Sequence, residues 1–497
     1  MGSRRYVAAL WLAAIAVPAY ARAPTGLTIE DIFGRRLSEK NGLVLVDWEG
    51  PLANPAIEFF VVPPAGIAYP AKLIFRANGP RLSFNLPSQV GPQGPRKELL
   101  IHSGQKPSVY ITIFPDEDGQ DESYELTVDL VDARGRTARR KIPIRVIDQD
   151  RTVTLPTMPV TVDFSHDKTD FFKDAKRRQV AEQAVRDWAY YLDGEGLDPV
   201  PAGAEHTHLY RPEDPRNREV VTNPRDYRGI LIYIYGYQTT DAVSGGQPAW
   251  KGGFQTRCGE KLQMRRSGSI DIDARGNRNR LGYLASLDSA ECWKAADYTD
   301  KPNDLYTIIL HEAGHALVFN PNNPLFARAK DSGSVADEAL VKYLGGPANI
   351  DKVDHLAGVI DAESRQGAYG NEYHGEMPLS RRLLTKTHLL VAQAIGYRLR
   401  ATAPFAPLSL ETDTLPAAKS GVHYTAQLRA SGGIPFYNWE IVGDQAKLPR
   451  GLRLDPFKGE LDGVVSQPGK FEFTVRVRDY HKDGEGKEKT FVLEVKP

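Results

Sequence analysis

From about residue 24 to 150 short apolar runs alternate with polar positions and are broken by Pro and Gly: LVLVDWEG, AIEFFVVPP, AKLIFRA, SVYITIF, YELTVDLVD and KIPIRVID. Period-two alternation in many short segments, without a long 3.6-residue period, predicts a β-sandwich over residues 22–150. After about residue 157 the pattern changes. PVTVDF reads as a strand, and Val180, Ala181, Ala184, Val185, Trp188, Tyr191 and Leu192 fall on one face of a helix. GILIYIYGY then reads as a buried strand, while GSIDID, from Gly268 to Asp273, alternates as a half-exposed or edge strand would. A further helix is expected where Asn303 or Asp304 can cap LYTIILHEAGHALVF, with Asn320-Pro321 as its stop. This order predicts an α+β domain over residues 151–400. Beyond the linker ATAPFAPLS, the segments HYTAQLRA, FYNWEIV, FEFTVRVRDY and KTFVLEVKP predict a second β-sandwich over residues 401–497.

The first residues break the pattern. Arg4 and Arg5 precede an apolar run from Tyr6 to Val17, and Ala19-Tyr20-Ala21 has the small-x-small form of a cleavage site. Residues 1–21 therefore read as a signal peptide, and the chain from about Arg22 is expected to be secreted or held at the cell surface. No later stretch reaches spanning length, so no membrane span is expected. The 63 basic residues balance 63 acidic ones, which gives no field to draw nucleic acid or an anionic membrane. Export makes a disulfide between the two cysteines, Cys258 and Cys292, the default expectation. The acidic turn PDEDGQDE, from Pro115 to Glu122, is a candidate calcium turn, although a hairpin loop between two strands explains it equally well.

The chemistry concentrates in His311-Glu312-Ala313-Gly314-His315. Histidines at i and i+4 leave one face of a helix and can meet a single zinc ion, with Glu312 beside them to act on a metal-bound water as general base. Two histidines do not complete a zinc site. The most compact continuation, with glycine and a third histidine on the following turn, is ruled out by Val318 and Pro321. Glu338, from a following helix, could supply the third ligand.

Residues from about 157 to 400 resemble leishmanolysin-like peptidases, metzincins whose last histidine is displaced by an insertion. The resemblance rests on the HEAGH helix, a short helix at VKYL, the histidine of DKVDHL, the GNE segment, GEMP, and a helix ending in Gly396-Tyr397. It implies that His355 is the third ligand and that Met377 forms a methionine turn beneath the metal. His374, three residues before Met377, remains an alternative; His374 or Tyr373 could otherwise stabilise an oxyanion. Residues from about 406 to 497, with LPRGLRLDPFKGELDGV at their centre, resemble immunoglobulin-like domains of bacterial surface and secreted proteins, which implies a binding or spacer role.

The expectation is a multidomain protein, an α+β metzincin-like zinc protease domain flanked by two Ig-like β-sandwiches. It would be a zinc metalloendopeptidase acting on protein or peptide substrates, with GSIDID pairing to an extended peptide. The alternative is a secreted or surface binding protein whose zinc domain is inactive and whose Ig-like domains engage partners.

Overall fold

In the computed structural model the alternating segments form, among the described residues between Thr28 and Asp148, nine strands: β1 (Thr28–Asp31), β2 (Leu43–Asp47), β3 (Ile57–Val62), β4 (Ala71–Ala77), β5 (Leu82–Ser83), β6 (Arg96–Ile101), β7 (Ser108–Ile113), β8 (Glu122–Val131) and β9 (Thr137–Asp148). The structure describes residues 26–84, 94–150, 157–210, 219–238, 245–248, 251–252, 256–257, 260–261, 267–274, 283–288, 303–367, 381–443, 448–480 and 486–497. The strands make two sheets, ordered β1-β3-β7-β5 and β2-β9-β8-β4-β6. Leu73 and Phe75 of β4 are buried while Lys72 is exposed, the alternation a one-sided sheet requires. Phe59 of β3 meets Phe75 across the two sheets at a ring separation of 6.1 Å.

The middle of the chain is built on β10 (Val160–Asp163), α1 (Ala175–Tyr190), β11 (Glu205–Leu209), β12 (Glu219–Thr222), β13 (Ile230–Tyr237), β14 (Gly245–Pro248) and β15 (Ser267–Asp273). The sheet runs β10-β13-β15-β14, with the first three strands parallel and β14 antiparallel to β15. Helix α2 (Leu305–Leu317) carries the two-histidine motif and is followed by α3 (Pro324–Ser332), α4 (Glu338–Leu344) and α5 (Lys386–Ala394). Ile232, Ile234, Ile270 and Ile272 share one core with Val185 and Trp188 of α1 and Ile308 and Ile309 of α2. Helices α1 and α2 therefore cover one face of the sheet. Trp188 Nε1 donates to the Leu310 carbonyl at 2.9 Å, which locks the two helices in register.

The strand GSIDID corrects an expectation. It is buried at every position of β15, and it is paired on both sides, with β13 and with β14. Its polar face is buried because β11 covers it: Ser267 Oγ donates to Glu205 Oε2 and Ser269 Oγ to the His208 carbonyl, both at 3.0 Å. At Ser267 and Ser269 the polar positions therefore record hydrogen bonding between layers rather than contact with water.

After the linker come β16 (Ala418–Lys419), β17 (His423–Gln427), β18 (Asn438–Ile441), β19 (Leu452–Leu454), β20 (Glu460–Val464), β21 (Gly469–Arg478) and β22 (Lys487–Lys496), in sheets ordered β16-β22-β21-β18 and β17-β20-β19. Trp439, Leu461, Phe473 and Phe491 form a core separate from that of the rest of the chain. The protein is thus multidomain and mostly β, with few helices among the described residues.

Candidate metal centre

Helix α2 starts where Asp304 caps it, accepting from Thr307 N at 3.3 Å and from Thr307 Oγ1 at 2.6 Å. The same carboxylate takes Arg381 through Nε at 2.6 Å and Nη2 at 2.8 Å, so the helix start is tied to a segment far away in sequence. The helix ends at Leu317, short of the expected stop at Asn320-Pro321. Asn320 instead turns back, its Nδ2 donating to the His315 carbonyl at 3.0 Å.

His311 and His315 leave one face of α2, as the spacing requires, and His355 meets them from the turn after α4. One nitrogen from each of the three lies within 4.8 Å of the others. The ring centroids are 5.1 Å apart for His311 and His315, 5.1 Å for His311 and His355, and 5.0 Å for His315 and His355. His315 Nε2 and His355 Nε2 are 3.1 Å apart. His315 Nδ1 lies 3.1 Å from the Phe319 carbonyl, an acceptor, so that nitrogen carries the proton and Nε2 presents a lone pair. His355 Nδ1 faces Asp351 Oδ2 at 3.5 Å, which favours the same tautomer. The two Nε2 atoms thus face each other across a gap that suits a cation.

Burial pushes both motif histidines towards the neutral form that binds metals. Burial lowers His311 well below its ordinary value, aided by His315 and His355, and takes His315 down to about 4. Three imidazoles with converging nitrogens match the donor set of zinc. Glu312 is buried on the turn between the two histidines. Tyr237, at the end of β13, is raised in pKa first by burial and then by Asp271, Asp273, Tyr283 and Glu312.

The other expected site residues fall differently. Glu338 is exposed in the first turn of α4 and is not among the three clustered donors. His374, Tyr373, Met377, Cys258 and Cys292, and the expected signal peptide, lie outside the described residues. The acidic turn brings Asp116 beside Asp47 and Asp148, but Arg81 already sits among these carboxylates, 2.8 Å from both Asp47 and Asp116 and paired with Glu122. Sequence reasoning missed Asp351. Its only signal was a carboxylate four residues before a candidate ligand.

Residues 406–496 match the family described as "Putative Ig domain", so the C-terminal sandwich is an immunoglobulin-like domain. That family spans the last part of the chain only. No curated protein matches the chain. Solved structures similar to parts of it include a "putative alpha-galactosidase" from Bacteroides fragilis, 20% identical over 18% of this chain and 18% of that one, with a TM-score of 0.16. The third cadherin domain of human protocadherin 7 is 23% identical over 18% of this chain and 86% of its own, with a TM-score of 0.16. Drosophila OTK extracellular domains 3–5 are 9% identical over 96% of this chain and 99% of theirs, with a TM-score of 0.15. Among the described residues no helix is long and apolar enough to cross a membrane.

Proposed function

We propose that the protein is an exported zinc-dependent endopeptidase of the leishmanolysin-like metzincin type. The observation that carries this reading is the meeting of His311, His315 and His355, with two Nε2 atoms 3.1 Å apart and Glu312 on the same helix. These three histidines would hold the ion. Zinc held there would supply Lewis acidity, bringing a water towards a pKa of ~7 and polarising a carbonyl. Glu312, buried on the same helix, would act as the general base and return the proton to the leaving amine. Among the described residues β14 pairs on one side only, with β15, and it runs beside α2. Its backbone can therefore receive an extended peptide as an added strand, the role first expected of GSIDID.

Glu312→Gln is expected to keep stoichiometric zinc and lose hydrolysis of casein by at least a hundredfold, since it removes the proton acceptor and leaves the ligands. Full proteolysis by this variant would overturn the mechanism. The second reading, a binding protein with an inactive zinc domain, draws on the immunoglobulin-like domain at residues 406–496. Chelator-sensitive cleavage of casein supports the peptidase; zinc binding without cleavage of any member of a peptide library supports the binding protein.

A further inference from the structure

The turn that delivers His355 is organised around one carboxylate. Ile350 and Leu356 pair as an isolated antiparallel bridge, and Asp351 N donates to the His355 carbonyl at 2.8 Å. Inside this closed turn Asp351 Oδ1 accepts from Val353 N and from His355 N, each at 2.9 Å. Asp354 takes a left-handed φ of 68°, which lets the chain reverse within so few residues. Lys330 from α3 pairs with Asp354 and donates to the Lys352 carbonyl at 3.3 Å, holding the turn from outside. With Oδ1 committed to the backbone, Asp351 Oδ2 is left facing His355 Nδ1 at 3.5 Å.

We infer that Asp351 is a positioning residue for metal binding: its Oδ2 holds the proton of His355 on Nδ1 and so keeps Nε2 as the donor. This rests on the zinc reading above. The imidazole can exist as either of two tautomers, and only the one protonated on Nδ1 leaves the lone pair where the ring meets His315 Nε2, 3.1 Å away. A carboxylate beyond the ring both selects that tautomer and makes the ligand more basic. His315 is held in the same tautomer by a neutral backbone acceptor, the Phe319 carbonyl at 3.1 Å. The two ligands are thus tethered differently, and His355, which stands on a turn rather than a helix, has the charged tether.

The division of labour between the two oxygens makes the inference separable from a structural role. In Asp351→Asn the amide oxygen can still accept from Val353 N and His355 N, whereas the amide nitrogen is a donor and cannot accept from Nδ1–H. The experiment uses the full chain and zinc alone, with affinity measured by competition against a chromophoric chelator. Alongside it, the thermal stability of the metal-free protein and the tautomer of His355 by nitrogen NMR are recorded. The expected results are a 10- to 100-fold loss of zinc affinity in Asp351→Asn, an unchanged melting temperature without metal, and a shift of His355 away from the Nδ1–H form. Asp351→Glu should recover part of the affinity. Wild-type affinity in Asp351→Asn, or a weakened affinity with the His355 tautomer unchanged, overturns the inference and leaves the zinc reading intact. A wild-type chain that binds no zinc, or His355→Ala that binds it as tightly as wild type, overturns the zinc reading itself and the inference with it.

Discussion

Asp187 shows how much one side chain beneath the site can say. It lies on the buried face of α1, where Tyr306 of α2 donates its hydroxyl to Oδ2 and Gln183 Nε2 donates to Oδ1 at 2.7 Å. Burial pushes its carboxyl up to about 7, against the lowering effect of these two donors. A group raised in the folded state contributes stability that is fully present below its unfolded pKa of about 3.9 and is lost as pH rises through the folded value. Asp187→Asn, which keeps the shape and cannot ionise, should therefore gain stability relative to wild type as pH rises from about 4 to 7. The gain should reach a few kcal/mol, because each tenfold change in proton affinity is worth about 1.4 kcal/mol, and it should level off above the folded value. Denaturant melts of the two proteins across that range check it; a difference that does not change with pH would mean that Asp187 is ionised in the fold.

Among the elements, α2 was the most legible and its surroundings the least. An apolar run with histidines four apart defines the helix and the shared face, because 3.6 residues per turn fixes which side chains align. The cap at Asp304 was also readable as one of two candidates. That the same carboxylate binds Arg381 was not, since the two are 77 residues apart and only the fold brings them together. The pair is nearly dry, with side-chain exposures of 4% for Arg381 and 3% for Asp304. Asp304→Ala should therefore cost about 3–5 kcal/mol, because it strands a buried guanidinium and removes a helix cap. Urea unfolding at constant m-value measures it, and a cost below about 1 kcal/mol would show that solvent reaches Arg381 in the variant. The strand β15 failed as an edge strand for a related reason. Period two says which residues share a face, and it cannot say whether another layer covers that face.

At the scale of the molecule, the N-terminal sandwich and the helical unit share one apolar core, running from Leu45 and Phe75 through Trp188 and Ile308 to Tyr397. Their junction is hydrogen-bonded as well. Tyr191 donates its hydroxyl to the Glu49 carbonyl at 2.8 Å, and Ala53 N donates to the Leu384 carbonyl at 2.8 Å. Gly50 takes a φ of 80°, and a Cβ there would lie 2.3 Å from the Tyr190 ring, so the junction needs glycine. The C-terminal domain keeps its own core, yet Ile434 and Tyr480 pack into the larger one, where Tyr480 donates its hydroxyl to the Glu58 carbonyl and Arg35 lies over the Phe457 ring at 4.1 Å. Calorimetry should accordingly show two transitions, one for residues 26–400 and one that a fragment of residues 406–497 reproduces alone. A chain lacking residues 26–150 should fail to fold; a soluble, cooperatively melting product would mean that the helical unit can close its core unaided.

The sequence by itself determined the local matters: alternating strands at both ends, one helix presenting two histidines and a glutamate, and a short list of partners for them. Periodicity, capping and residue chemistry act within a few turns, and these features need nothing more. The tertiary structure decided which partner arrives. It set His355 beside His315, left Glu338 exposed, placed β14 outside β15, and joined the first sandwich to the helical unit in one core. Each of these depends on burying apolar surface between segments far apart in the chain, and that choice is made by the whole fold at once.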